Sequence, residues 1–118
     1  MYGVPANLDF SQYLNTTCIQ IALGEFQIQL HFHPDATISI EGRWELRDGH
    51  RQIIDQSVDN EAREAYRLHS LLGQSVVDST LSAPASFSLT FANGHVLEIF
   101  DDSQKYESCQ LSPSGVII

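Results

Sequence analysis

His31 and His33 stand two residues apart in Gln27-Ile28-Gln29-Leu30-His31-Phe32-His33. Residues two apart on a strand send their side chains to the same face. Such a pair is half of a metal site, because imidazole binds zinc, copper, nickel or iron. The third ligand must come from elsewhere, with Glu41 and Glu45 as candidates on the following strand. The register expected below sets Ser39 beside His31 and Thr37 beside His33, which is no ligand set. The pair therefore reads first as surface histidines, with His31 and His33 kept as the candidate metal residues. Carboxylates are plentiful but dispersed: Glu98, Asp101, Asp102 and Glu107 lie in and after one predicted hairpin. Adjacent aspartates on a strand point opposite ways, whereas general acid–base chemistry needs two carboxyls of separated pKa in a dry cleft. These residues read as a solvated acidic edge, or as a surface that recognises a basic protein. Cys18 and Cys109 sit in strand-like segments and read as small buried hydrophobes rather than nucleophiles. Trp44, Tyr2, Tyr13, Tyr66 and Tyr106 are the aromatics available to line a pocket, although Trp44 has the parity of a core residue.

The remaining chemistry is excluded by what the chain lacks. It has no G-x-S-x-G, P-loop, G-x-G-x-x-G, C-x-x-C or H-E-x-x-H, so no catalytic residue and no cofactor is assigned. Six Lys and Arg against fifteen Asp and Glu give a net charge of −9 and a pI near 4.7. That balance argues against nucleic acid and against an anionic membrane surface, both of which require cationic side chains. No run reaches the ~18 apolar residues of a membrane span. Residues 1–10 lack the cationic start and apolar stretch of a secretory signal. The expectation is a cytoplasmic protein whose two thiols stay reduced. At 118 residues with 42% hydrophobic content, the chain suits one packed domain over 1–118.

The elements that must position these residues follow from hydrophobic periodicity. Phe26, Ile28, Leu30 and Phe32 alternate with polar residues, as do Ile38, Ile40, Trp44 and Leu46 beyond a turn at Pro34-Asp35. One apolar and one wet face predict an antiparallel hairpin. The expected register puts Leu30 opposite Ile40 and Phe26 near Trp44, with three residues in the turn. Phe87, Leu89 and Phe91 against Leu97 and Ile99 predict a second hairpin. Its Asn93-Gly94 turn must carry an extra residue or a bulge near His95 to keep that parity. Asp59 or Asn60 can cap a helix over 60–72, with Gly73 ending it in the left-handed conformation. A shorter helix is expected over Leu8 to Leu14, ended by Asn15. Short strands are expected near Gln52 to Asp55, Tyr106 to Leu111 and Val116 to Ile118.

These elements recur at an offset of 58 or 59 residues. Leu8, Phe10, Tyr13, Leu14 and Asn15 fall on Tyr66, Leu68, Leu71, Leu72 and Gly73; Cys18 falls on Val76, Leu30 on Leu89, Ile40 on Ile99. The expected fold is α+β: two α-β-β-β pseudo-repeats, 1–59 and 60–118, forming an antiparallel sheet or partly closed barrel with one main helix packed on it. On this pattern Trp44 and Tyr106 are quasi-equivalent, as are Glu45 and Glu107, and a groove between the halves is the natural place for a site.

Glu41-Gly42-Arg43-Trp44-Glu45-Leu46, and Phe91-Ala92-Asn93-Gly94-His95-Val96-Leu97-Glu98-Ile99 followed by Tyr106-Glu107-Ser108, resemble the E-G-x-W-x-L and F-x-x-G-x-x-L-x-I…Y-E-S patterns of an uncharacterised family of small bacterial domains. The resemblance covers roughly residues 8–118 and rests for its specificity on Trp44 and Tyr106-Glu107-Ser108. Such families are similar to immunity-type proteins found beside secreted toxins, and the resemblance carries no catalytic residues with it. The functional expectation is a non-enzymatic protein-binding module, an immunity-type inhibitor of a basic toxin, with Trp44, Glu45, Asp101, Asp102, Tyr106 and Glu107 as binding residues. The alternative is a small-ligand or metal-binding domain using the His31/His33 face or a groove near Trp44. Homodimerisation through exposed strand edges is compatible with either.

Overall fold

Alternating apolar residues fold here into two sheets rather than one. The computed structural model describes residues 4–25, 27–57, 66–101, 109–112 and 115–118. Among them, ten strands run in chain order: β1 (Thr17–Leu23), β2 (Ile28–His33), β3 (Ala36–Ile40), β4 (Trp44–Arg47), β5 (Ile53–Gln56), β6 (Val76–Ser82), β7 (Ser86–Phe91), β8 (Val96–Phe100), β9 (Cys109–Ser112) and β10 (Val116–Ile117). One antiparallel sheet has the order β1-β2-β3-β9-β10, the other β5-β4-β8-β7-β6. Each sheet therefore takes three consecutive strands from one half of the chain and a two-stranded hairpin from the other. The inward faces close a shared core of Leu30, Phe32, Ile38, Leu89, Phe91 and Leu97 among others, with Phe32 stacked on Phe91 at 6.4 Å between ring centres.

The α+β expectation is overturned. The described chain is nearly all β, with no helix of seven or more residues and no closed barrel. Of the helix expected over 60–72, residues 60–65 lie outside the described residues, and the rest holds only a 3-10 turn, Leu68–Leu71. The segment from Leu8 to Leu14 is a run of turns in which Phe10 O accepts from the amides of Tyr13 and Leu14. Both segments anchor the core by two residues three apart, Phe10 with Tyr13 and Leu68 with Leu71. That spacing is met by one tight turn, and segments this short gain too few backbone bonds to sustain an α-helix.

The strand expected to run from Thr37 to Arg47 also divides. It breaks at Glu41-Gly42-Arg43, where the chain crosses between the sheets, so Ile40 pairs in one and Trp44 in the other. The register of the first hairpin is shifted by two residues from the expected one: Leu30 faces Ile38 and Phe32 faces Ala36. Alternation fixes a register only to within two residues, because either choice keeps the same side chains inward. In the second hairpin Phe91 N donates to His95 O and Gly94 N to Phe91 O, each at 2.9 Å, and Gly94 has φ 89°. This is a three-residue loop with a bulge glycine, in keeping with the extra turn residue expected near His95.

Pairing details recur along the chain. Cys18 and Gln20 flank a bulge against β2 just as Val76 and Asp78 do against β7. The bulged Ile19 and Val77 are exposed to 58% and 54%. Between the sheets, Asn15 N donates to Val76 O and Gly73 N to Cys18 O, while Val76 N donates to Thr16 O and Cys18 N to Gln74 O, all within 2.8–3.0 Å. Each bond in a pair maps onto the other by adding 58, and the midpoint is the Thr17–Ser75 bridge, whose hydroxyls lie 3.3 Å apart. Asn15 (φ 67°) and Gly73 (φ 81°) share the left-handed conformation this exchange requires.

A Cβ on Gly73 meets nothing within 4 Å, so a substitution there reports backbone strain alone. Gly73→Ala is expected to lower stability by about 1–2 kcal/mol. Gly73→Asn, which copies the residue used at Asn15, should cost distinctly less. Urea unfolding of the two variants checks the difference; equal losses would contradict it.

Candidate functional site

The crossing at Glu41-Gly42-Arg43 leaves a hollow of about 310 Å³ where the two sheets part. Its apolar side comes from Ile28 and Ile40, which pair across β2 and β3, and from Trp44, the first residue of β4. Trp44 is only 3% exposed; its ring meets Tyr66 edge-on at 5.2 Å and its amide donates to Ser57 Oγ at 3.2 Å. The rim carries the exposed carboxylates Glu25 and Glu41, together with Gln27. Glu25 sits in the β1–β2 turn, which is closed by Gly24 N donating to Gln27 O at 2.8 Å. A Cβ on Gly24 would lie 3.0 Å from that same carbonyl, so any larger residue there would require the turn to give by a few tenths of an ångström. The result is a hollow edged by negative charge, in which Ile40 and Trp44 lie almost wholly buried beneath the surface.

The matching place in the other half is covered. Register sets Ile99 against Trp44 and Ile40 against Cys109, so Cys109 is the counterpart of Trp44. There Ile118 exchanges both backbone bonds with Cys109, and the buried Val4 donates its amide to Pro84 O at 2.9 Å. The expected pairing of Trp44 with Tyr106 is thus replaced by Trp44 with Cys109; Tyr106 lies outside the described residues, as do Asp102 and Glu107.

The other sequence candidates among the described residues are not gathered at the hollow. Glu45 follows Trp44 and therefore faces the opposite side of β4, where it bonds Arg43 and Arg47, each at 3.2 Å. Arg47 also bonds Glu98, whose second oxygen accepts from Ser86 Oγ at 2.6 Å. The Arg43 guanidinium lies 4.1 Å from the centre of the Phe100 ring. This network covers the outer face of its sheet and engages both Arg43 and Arg47. Asp101 is half-buried at the end of β8, with its amide donating to Ala85 O at 2.8 Å. On the other sheet, His31 lies opposite Thr37, with Nδ1 and Oγ1 3.1 Å apart, and His33 lies opposite Thr17. Among the described residues, no three His, Cys, Asp or Glu gather closely enough to hold a metal ion.

Sequence reasoning weighed Glu41 only as a metal ligand and did not single out Glu25. The signal that joins them is the register: pairing of Ile28 with Ile40 brings the start of β2 and the end of β3 to one end of the sheet. Burial pushes the thiol of Cys18 up to about 11 and that of Cys109 up to about 12, so neither is a nucleophile at neutral pH.

The fold is a two-sheet antiparallel β structure with exchanged hairpins, and its site is an acid-edged recess at the crossing between the sheets. Residues 11–116 match the family of unknown function DUF6188, and the chain belongs to that family. No curated protein and no solved structure matches the chain significantly. Among the described residues, no helix is long and apolar enough to cross a membrane.

Both thiols being buried and protonated, native protein at about pH 8 is expected to react with neither cysteine over tens of minutes, while denatured protein reacts at both. Titration with a chromogenic disulfide checks this. Fast native labelling of either thiol would contradict its burial.

Proposed function

We propose that this chain is a non-enzymatic protein-binding module whose partner is a basic protein, with an immunity-type inhibitor of a basic toxin as its concrete form. The observation that carries the reading is the placement of charge. Residues 1–42 hold Asp9, Glu25, Asp35 and Glu41 and no Lys or Arg. All four carboxylates are exposed. Arg43 and Arg47, in contrast, are drawn into pairs with Glu45 and Glu98 on the far sheet. The surface built from the first three strands therefore keeps its negative charge, which attracts a cationic partner and repels nucleic acid and anionic lipid. The buried thiols suit the absence of covalent chemistry. A cytoplasmic location belongs to the same reading, since thiols stay reduced there.

An inhibitor of this kind meets its target by electrostatic steering, so its association rate must depend on ionic strength. With a basic protein captured by pull-down from the source organism's lysate immobilised, the on-rate is expected to fall about tenfold or more between about 50 and about 300 mM salt, with a much smaller change in off-rate. Surface plasmon resonance makes the measurement. No complex, or an on-rate indifferent to salt, would overturn the proposal.

A further inference from the structure

We infer that the chain forms a weak two-fold homodimer through the surface around the Thr17–Ser75 bridge. Such a dimer stands independently of the binding-module reading, since none of the carboxylates named there belongs to this surface. Four of the six large apolar side chains exposed among the described residues lie here: Leu14 and Leu72, 39% and 45% exposed, with the bulged Ile19 and Val77. Their spacing is the same in both halves, three residues before and two residues after the bridging Thr17 or Ser75. Gly73 N donates to Cys18 O and Asn15 N to Val76 O, so Leu72 comes beside the Ile19 position and Leu14 beside that of Val77. The surface is therefore two apolar lobes with the neighbouring hydroxyls of Thr17 and Ser75 between them. β1 and β6 are edge strands of their sheets, so no further strand of the described chain shelters it.

Symmetry and charge select a second copy as the occupant. A two-fold dimer brings one patch against itself by a half-turn, with every contact made twice. This patch already repeats its own features about the bridge, so the half-turn lays lobe on lobe and hydroxyls on hydroxyls together. An unrelated partner would have to present two apolar lobes at that spacing; a second copy does so by construction. Residues 10–24 and 68–77 hold no Asp, Glu, Lys or Arg, within a chain of net charge −9. Two such chains repel where their carboxylates meet, and here they meet without them. A basic protein gains no charge contact from this face and is drawn to the carboxylates elsewhere. Edge strands commonly carry a charge that blocks pairing with another chain, and β1, Thr-Cys-Ile-Gln-Ile-Ala-Leu, carries none. Four side chains make a small patch beside the ~800 Å² per partner of a standard interface, so the dimer is weak.

Sedimentation equilibrium of the full chain, from about 10 µM to about 1 mM, reads the association. The mass is expected to rise from 13.2 kDa towards twice that value and no further, with a dissociation constant of about 50–500 µM. Raising salt from about 50 to about 300 mM should tighten the dimer at least about threefold, because screening relieves the repulsion between two chains of net charge −9. A complex with a basic protein responds to salt with the opposite sign, so the two associations are told apart. Ile19→Glu and Val77→Glu, equivalent by the repeat, should each weaken the dimer at least about tenfold, because each sets a carboxylate in an apolar lobe. Ile53→Glu adds the same charge at an exposed apolar residue of β5 and should change the dissociation constant by less than about twofold. Far-ultraviolet circular dichroism checks the fold of each variant. Ile19→Thr and Val77→Thr, which keep the branched shape suited to a strand, serve where a glutamate variant does not fold. A monomer at about 1 mM, growth beyond the dimer, loosening by salt, an unchanged dimer in both patch variants, or an equal loss in the Ile53 variant would each overturn the inference.

Discussion

The inner edges of β3 and β8 each need a strand that their own half of the chain does not supply. Carbonyl and amide groups left unpaired beside a hydrophobic core cost about 1–3 kcal/mol each. The first half closes β8 with β4, and the second half closes β3 with β9. This exchange is the constraint from which the rest follows. It joins two three-stranded meanders into one sandwich and brings Phe32 against Phe91. It also requires the chain to leave one sheet for the other at Glu41-Gly42-Arg43, and that departure opens the recess beside Trp44. The bonds around Thr17 and Ser75 tie the chain at the β1 edge to that at the β6 edge, so the sheets are fastened on one side by backbone and across the middle by exchanged hairpins.

Much of this was legible in the residues. Period-two alternation located β2, β3, β7 and β8, and the Asn93-Gly94 turn disclosed the bulge that Gly94 provides. The correspondence of Asn15 with Gly73 pointed to two positions of positive φ. Partner choice was illegible, because alternation says which face is buried and not which strand lies alongside. Ile38, Ile40, Trp44 and Leu46 have one parity and read as one strand, yet they serve two sheets. The helix over 60–72 was read from a stripe of apolar residues; in the described part, Leu68 and Leu71 meet the core through a single turn. At the site, Trp44 was found for its aromatic character. Glu45 was joined to it by adjacency, which on a strand separates two side chains rather than uniting them.

The two sets of carboxylates now have different physical characters. Glu45 and Glu98 are held by arginines and by Ser86, and they stabilise the outer face of one sheet. Glu25 and Glu41 hang from turns at the end of the other sheet, where solvent reaches them. Acidity in this chain is therefore divided between internal pairing and outward display, a division that net charge alone conceals. The same division explains why an acidic protein can place a guanidinium beside its own recess without filling it: Arg43 is turned outward by Phe100 and Glu45.

The exchange of hairpins also orders events during synthesis. Ile38 pairs with Leu111 and Ile40 with Cys109, so one sheet lacks its fourth and fifth strands until β9 and β10 have left the ribosome. Pairing between such distant positions is slow, because a long loop must close before the contact is made. The other sheet has all its strands once β8 emerges, with β4 and β5 already waiting. The nascent chain therefore completes its halves in reverse: the sheet begun second is finished first, and the edge of β3 stays open until β9 and β10 arrive to cover it.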